Sequence, residues 1–491
     1  MNFNRNEAKY SNVVSYEGGE VFVKNLTEEW FNCLCSCMVE DRYYEPAEKQ
    51  VVRYLDLTAK MAKAYGYEFI AKATVYARNE LGMRSISQMT AAWLNDKSFD
   101  RKRQFYKNFC HRADDVAEIF AAVDALGQKR SHALVRGCGD YLSSLGAYSI
   151  DKYKLNGKAY NMFDCINICH ATSPAINAYK NGVLPKCETW EQQISASKSE
   201  EEKAYAWCEL LADEKLGYLA LLRNVRNILQ TIEFLPKIVK IPCTKLLCDQ
   251  LRNAEAIKKS LVFPYQIYTC YKTLVKSGIC DKEITKSLSY AFYVSIDNIP
   301  YFDGNTAILL DVSGSMEDPI SKNSEVSIKE AGAVFAVALA LKNLGKVDVV
   351  KFGTEAKWAI GYTCENVFEM IEAFAKNDGC GYGTDIRNGF ALLKKSYSRI
   401  FIISDMQIMG ASRLAYPYNS GVDSYELYSA KYGKSKVYSF DLGNYHTQVC
   451  DPEDKDIVLL TSLGNKVFDF INMKENGCWD IIDYINEKVN Y

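Results

Sequence analysis

No run of about 18 apolar residues occurs anywhere in the 491 residues, so no membrane-spanning helix is expected. The opening residues, Met1-Asn2-Phe3-Asn4-Arg5, carry no apolar segment of the kind that directs export. The expected location is therefore cytoplasmic. Histidine is scarce: His111, His132, His170 and His446 are the only four. They fit no Ser-His-Asp order and no metal-hydrolase spacing, and no glycine-rich phosphate loop is present. Gly379 to Gly383 is rich in glycine but leads straight into Thr384. Catalysis is not expected.

The 17 cysteines follow the same compartment logic. Without export they stay reduced and serve as small buried apolar side chains. Cys33, Cys35 and Cys37 recur at every second position, which is not a zinc spacing. Cys165, Cys169 and His170 could in principle share a metal, but a place in the core suits them better.

Apolar residues make up 48% and charged residues 24% of the chain, as in ordinary globular proteins. At ~150 residues per domain the length allows about three domains. The net charge of −2 conceals an asymmetry, because residues 1–300 carry +5 and residues 301–491 carry −7. A mildly basic body joined to an acidic domain is compatible with a polyanionic partner on the body.

From about residue 24 to 295 the pattern is helix after helix. Lys49 to Tyr65 and Tyr67 to Leu81 carry apolar residues at spacings of three and four. Asp213 to Leu229 is amphipathic, with Leu216, Leu219, Leu222, Val225, Ile228 and Leu229 on one side. Successive helical pairs without a strict repeat suggest an α-solenoid. Near Ile299-Pro300 the pattern changes. Thr306 to Leu310, Val347 to Phe352, Arg399 to Ser404, Lys436 to Phe440 and Ile457 to Leu460 are short apolar runs. Helical stretches alternate with them at Ser327 to Leu344, Val367 to Ala375, Ile386 to Lys395 and Trp479 to Lys488. This alternation predicts an α/β domain with a doubly wound parallel sheet, and hence two domains, 1–300 and 301–491. Ligands of such sheets bind beyond the carboxyl ends of the strands, where Asp311 and Asp405 fall.

Asp311-Val312-Ser313-Gly314-Ser315 directly follows one strand, Thr384 opens a later helix, and Asp405 ends another strand. A hard divalent cation, most simply Mg²⁺, takes oxygen ligands in near-octahedral geometry and keeps some waters. Alternating hydroxyls in one loop, a third on a second loop and two carboxylates supply them. Taken one at a time, the acids could merely cap helices. Together and in this order they resemble the metal-ion-dependent adhesion site of von Willebrand factor A domains. The resemblance implies that Ser313, Ser315 and Thr384 ligate directly and that Asp311 and Asp405 act directly or through water. It leaves the last coordination position for an acidic group of a partner.

Three segments of the helical body carry a second resemblance. Leu219-Ala220-Leu221-Leu222-Arg223-Asn224-Val225-Arg226-Asn227-Ile228 looks like the alanine-leucine-leucine-arginine-asparagine helix of the TROVE module. Phe163 through Ser173-Pro174 and Arg252 through Phe263-Pro264-Tyr265 are similar to two further segments of it. Asn167 and Met162 stand where that module has an arginine and a histidine. A TROVE module followed by an A domain resembles the Ro ribonucleoprotein family. Membership would imply a ring of HEAT-like helical repeats closed by the A domain. It would also imply binding of Y RNA and of single-stranded ends of misfolded noncoding RNA, a role in RNA quality control alongside a 3′ exonuclease, and a monomeric protein.

RNA affinity rests first on Lys and Arg facing phosphates, with stacking added for single strands. Arg101, Lys102, Arg103 and Lys107 crowd one short segment with Phe105 and Tyr106. Lys129 and Arg130 lead to Arg136, and Lys152, Lys154 and Lys158 form a basic stretch before Phe163. The family's RNA contacts fall around Arg130, Arg136, Lys152 and Lys154. The expected RNA-binding residues are therefore Arg101, Arg103, Lys129, Arg130, Arg136, Lys152, Lys154 and Lys158. Arg223 and Asn224 are expected to pair between helices, and Phe263 and Tyr265 to sit in the core. The competing reading is a metal-dependent protein-interaction module that acts without RNA.

Overall fold

The computed structural model describes residues 13–36, 45–153, 157–185, 189–321, 324–360, 366–409, 424–460, 466–476 and 481–491. The chain forms two compact units. One holds residues 26–41, 45–189 and the final stretch from 473. The other holds the described residues of 13–25 and of 190–472. Among the described residues no helix is long and apolar enough to cross a membrane.

The first unit is helical. Its two longest periodic stretches meet at Gly66, whose φ of 86° and ψ of 161° interrupt the helical run Ala47–Asn79. Only glycine adopts that conformation without strain. Helices Lys102–Phe109 and His132–Ser143 then pack closely. Gly137 allows the approach, since a Cβ there would collide with the Arg103 carbonyl. Two residues on, Gly139 faces the Cys169 carbonyl of helix Met162–Cys169, which a Cβ would meet at 2.8 Å. A buried carboxylate ties helix Ala47–Asn79 to Ser85–Trp93 and Ala113–Ala125. Asp115, in Ala113–Ala125, accepts two bonds from Arg78 (2.7 and 3.0 Å) and one from Gln88 (2.8 Å). It also accepts from the backbone N–H groups of His111 and Arg112 at 3.0 and 2.9 Å.

In the second unit helices run from Trp190–Ala196 to Lys282–Ser295, followed by the sheet. The Asp213 to Leu229 stretch divides differently from its apolar periodicity. Asp213 caps the preceding helix, Glu214 takes φ 52°, and the amphipathic helix is Tyr218–Ile232, starting after Gly217. A turn residue costs the periodic pattern nothing, so periodicity alone could not place the start.

The strands are β1 (Phe22–Val23), β2 (Thr306–Asp311), β3 (Val347–Phe352), β4 (Ala356–Trp358), β5 (Arg399–Ser404), β6 (Lys436–Asp441), β7 (Thr447–Gln448) and β8 (Ile457–Leu460). The main sheet runs β4-β3-β2-β5-β6-β8, with every pair parallel except β3–β4. Alternate residues serve opposite faces. Ala307 and Leu309 join Ile386 and Phe390 in one core. On the other face, Leu310 and Ile403 approach Gly332 of helix Ile328–Lys342, apolar from Ala331 to Leu341. The central strands are buried throughout, as the doubly wound arrangement requires.

Packing and chain order diverge at the beginning of the chain. Residues 13–24 lie on the sheet domain rather than on the helices that follow them. β1 pairs antiparallel with β7, Gly19 N–H donates to the Ile408 carbonyl at 3.0 Å, and Tyr16 N–H donates to Gln407 Oε1 at 3.0 Å. A division at residue 300 therefore does not capture how this segment packs.

Candidate functional site

Three parallel strands end side by side in acids. Leu310 pairs with Ile403 and Ser404 with Asp441, so Asp311, Asp405 and Asp441 crowd the carboxyl edge of β2, β5 and β6. Asp311 is fully buried. Its Oδ1 accepts the Ser313 N–H at 2.9 Å, and its Oδ2 accepts the Ser404 hydroxyl at 2.6 Å. The Ser313 Oγ is buried with no hydrogen-bond partner, which is costly for a hydroxyl unless something binds it. Asp405 Oδ1 accepts the Gln407 N–H at 3.1 Å.

Backbone bonds lock the three loops together. Gly314 N–H donates to the Tyr382 carbonyl at 2.9 Å, and Met409 N–H donates to the Thr384 carbonyl at 2.9 Å. Ser313, Ser315, Thr384 and Asp405 are all buried. The structure thus brings the five sequence-predicted metal residues to one sheet edge. Asp385, the neighbour of Thr384, is spent elsewhere: it caps Ile386–Leu392 and pairs with Arg387 at 2.7 Å.

The electrostatics follow from burial. Desolvation pushes Asp311 up to about 6. Asp405 rises to about 7, through burial first and then through the charge of Asp311. Two ionised acids here destabilise each other, and a divalent cation would relieve both. With an orphaned hydroxyl beside them, the donors fit a hard cation held by oxygens. Among the described residues no group of three His, Cys, Asp or Glu is placed to hold a metal; the donors here are two carboxylates and hydroxyls. Cys165, Cys169 and His170 form no such group.

The raised pKa values give a signed prediction. An acid whose folded pKa lies above its unfolded value of about 4 costs the folded state stability as pH climbs through that interval. In chelator, the melting temperature of the sheet domain is expected to fall between pH 5 and pH 8. Millimolar Mg²⁺ should raise it at pH 8 and leave it unmoved at pH 5. Scanning calorimetry at both values checks this, and an equal Mg²⁺ effect at both would contradict it.

Asp441 and its partner were not picked out from sequence. Asp441 is fully buried but neutralised by Lys24 Nζ at 2.5 Å, with both side chains wholly inaccessible. It also accepts the N–H groups of Gly443 (2.8 Å) and Asn444 (2.9 Å), and Lys24 donates to the Tyr445 carbonyl as well. The signal was there in part: Ser439-Phe440-Asp441 repeats the apolar-run-then-acid pattern of the other two strand ends.

The sequence-predicted RNA residues separate into two kinds. Arg103 pairs with Asp140 at 2.6 Å, Arg130 with Asp124 at 2.7 Å, Lys158 with Glu118 at 3.5 Å and Arg101 with Glu68 at 3.6 Å. Arg130 is also wedged between the rings of Phe120 and Tyr160, each at 5.0 Å. Lys152 lies over the Tyr148 ring at 5.4 Å. Lys102 donates to the Asn95 and Lys97 carbonyls at 2.6 Å and so anchors its own helix. Lys154 lies outside the described residues. Arg136 and Lys129 are exposed and engage no carboxylate.

Arginine pairing as a whole is more informative. Among the described residues nine arginines pair with a carboxylate. Arg399 is buried beneath Phe302 and donates to Thr306. Arg136, Arg223 and Arg226 face no carboxylate among the described residues. The expected inter-helix pairing of Arg223 and Asn224 is thus corrected. Arg223 is exposed, and Asn224 instead donates to Ala220 in its own helix at 2.9 Å. Phe263 is buried as expected, but Tyr265 is only half-buried and lines a cleft with both arginines.

Comparison with known proteins gives two likenesses. Residues 170–278 match the family model of the TROVE domain. The fold is similar to the crystal structure of the Deinococcus radiodurans Ro (RSR) protein, with a TM-score of 0.65 at 14% identity. That match covers 93% of this chain and 100% of the other. No curated protein matches in sequence.

Proposed function

We propose that this chain, which carries a TROVE domain on a fold like that of Ro, is an RNA-binding protein of a ribonucleoprotein particle. The observation that carries the reading is the TROVE match over residues 170–278, and the fold likeness along nearly the whole chain supports it. The finer form of the proposal names Y RNA or a similar small structured RNA, together with single-stranded ends of misfolded noncoding RNA, as the ligands. It places the protein in RNA quality control, with a 3′ exonuclease as companion, as a cytoplasmic monomer that binds rather than cleaves.

Phosphates are best held by cations that no carboxylate already neutralises. Arg136→Ala is accordingly expected to weaken RNA binding several-fold more than Arg103→Ala, because Asp140 already engages Arg103. Gel-shift titration with a hairpin RNA and with the same hairpin bearing a 3′ single-stranded tail checks both the binding and the order of the variants. Absence of salt-sensitive binding to either RNA overturns the reading, and intact RNA after incubation with Mg²⁺ is the expected outcome for a non-enzyme.

The cation site supports a second role. The buried, unpartnered Ser313 Oγ beside Asp311 fits Mg²⁺ held by Ser313, Ser315 and Thr384, with Asp311 and Asp405 as the charged donors. Such an ion offers a Lewis-acidic position to a carboxylate of a partner protein. Partners that survive nuclease but leave on chelation would favour protein capture at this site. Partners lost to nuclease alone would favour the RNA reading.

A further inference from the structure

The clefts of this molecule differ in charge. One of about 690 Å³, beside Lys240, Lys245 and Arg252, also carries Glu233, Asp249, Asp281 and Glu283. Another of about 530 Å³ is bordered by Glu426, Asp451, Glu453, Asp454 and Asp456. A third, of about 330 Å³, lies between helices Tyr218–Ile232 and Pro264–Lys276 and is lined by no acid at all. Its charged residues are Arg223 and Arg226, two of the three arginines left without a carboxylate among the described residues.

Two arginines three apart share one helix face. Keeping both free of acids places two cations together, an arrangement that costs stability unless an anion visits. Each guanidinium is a planar fork that matches phosphate oxygens in pairs. Across the cleft, Gln266, Thr269 and Thr273 add polar groups. Leu222, Cys270 and Leu274 supply a buried apolar floor, and Tyr265 is half-exposed. Cationic rim, apolar floor and an accessible ring suit a phosphate joined to a sugar and a flat base, where stacking adds to charge.

We propose that this cleft is a nucleoside-phosphate site, with Arg223 and Arg226 holding the phosphate and the Tyr265 side of the cleft receiving the base. The proposal rests on the RNA reading for its preferred source, one nucleotide of a single strand. A free nucleotide shares the same chemistry.

Two probes separate the sources. Fluorescence anisotropy follows a labelled ten-residue oligouridylate, and thermal shift follows uridine monophosphate, each against wild type and the Arg223→Gln, Arg226→Gln double variant. Both side chains are exposed, so the variant should melt with wild type, which far-ultraviolet dichroism confirms. The expected result is about a tenfold loss of oligouridylate affinity and a shallower salt dependence. Losing two phosphate contacts should lower the log–log slope by about 1.4 for a single strand. Equal affinity and equal slope in the two proteins overturn the site. If wild type binds no RNA, the reading of the preceding section falls, and the monophosphate then decides the cleft. Stabilisation seen in wild type and lost in the variant supports the site with a free nucleotide as ligand; no difference between the proteins overturns it.

Discussion

Lys24→Met is expected to lower the stability of the sheet domain by about 3–5 kcal/mol, the usual cost of stranding one member of a buried ion pair. Both Lys24 and Asp441 are wholly inaccessible, and their contact is 2.5 Å. Methionine keeps the length of the side chain but leaves the buried Asp441 carboxylate without its cation, beside the backbone donors of Gly443 and Asn444. The charge left behind also acts on Asp405, whose pKa Asp441 already helps to raise, so the variant's melting point should depend on divalent cation more than that of wild type. Removing both partners, as Lys24→Met with Asp441→Leu, should recover much of the loss, because a hydrophobic pair of similar volume replaces two desolvated charges. Urea denaturation of the three proteins checks this. A single variant as stable as wild type would mean that the N-terminal segment does not hold the strand end as described.

A loss of similar size, about 3–5 kcal/mol, is expected in the helical unit for Asp115→Ala. Arg78 is almost completely buried, and Asp115 is its carboxylate partner. Burial works to raise the Asp115 pKa, but the hydrogen bonds and charge of Arg78 and the N–H groups of His111 and Arg112 hold it below the ordinary carboxylate range. The sign follows. A depressed folded pKa contributes stability that is present above the unfolded pKa of about 4 and lost as pH falls through the folded value. Wild type should therefore lose stability in this unit on acidification below pH 4. The variant, already lacking the contribution, should show a flatter acid limb. Denaturant midpoints between pH 2 and pH 6 measure both effects, and parallel acid limbs would contradict the assignment.

Much of the sheet domain was legible because its signals are local. The runs ending at Asp311 and Ser404 are buried strands, and Val367–Ala375 falls where its apolar periodicity puts it. That Asp311, Ser313, Ser315, Thr384 and Asp405 gather at one sheet edge was legible for the same reason, as each sits in a short motif at a strand or helix end. Lys24 was not, since the segment that carries it reaches its strand end from 417 positions away in sequence, and no local pattern encodes that. The basic clusters were visible as composition, but their electrostatic state depends on partners in other helices. Asp140 lies 37 positions from Arg103, and it makes that arginine a weaker candidate than Arg136. The reverse error applied to Arg223, which a helix-pairing expectation consigned to structure while the fold left it without a carboxylate.

Nucleic acid is the proposed natural ligand, and the direct measurement is to purify the intact protein at low salt, treat it with nuclease and sequence what is protected. Short RNA fragments that remain bound through nuclease treatment and are released by raising the salt are the expected result. Protein that emerges free of nucleic acid, and that takes up none when structured and single-stranded RNA are supplied at low salt, would contradict it.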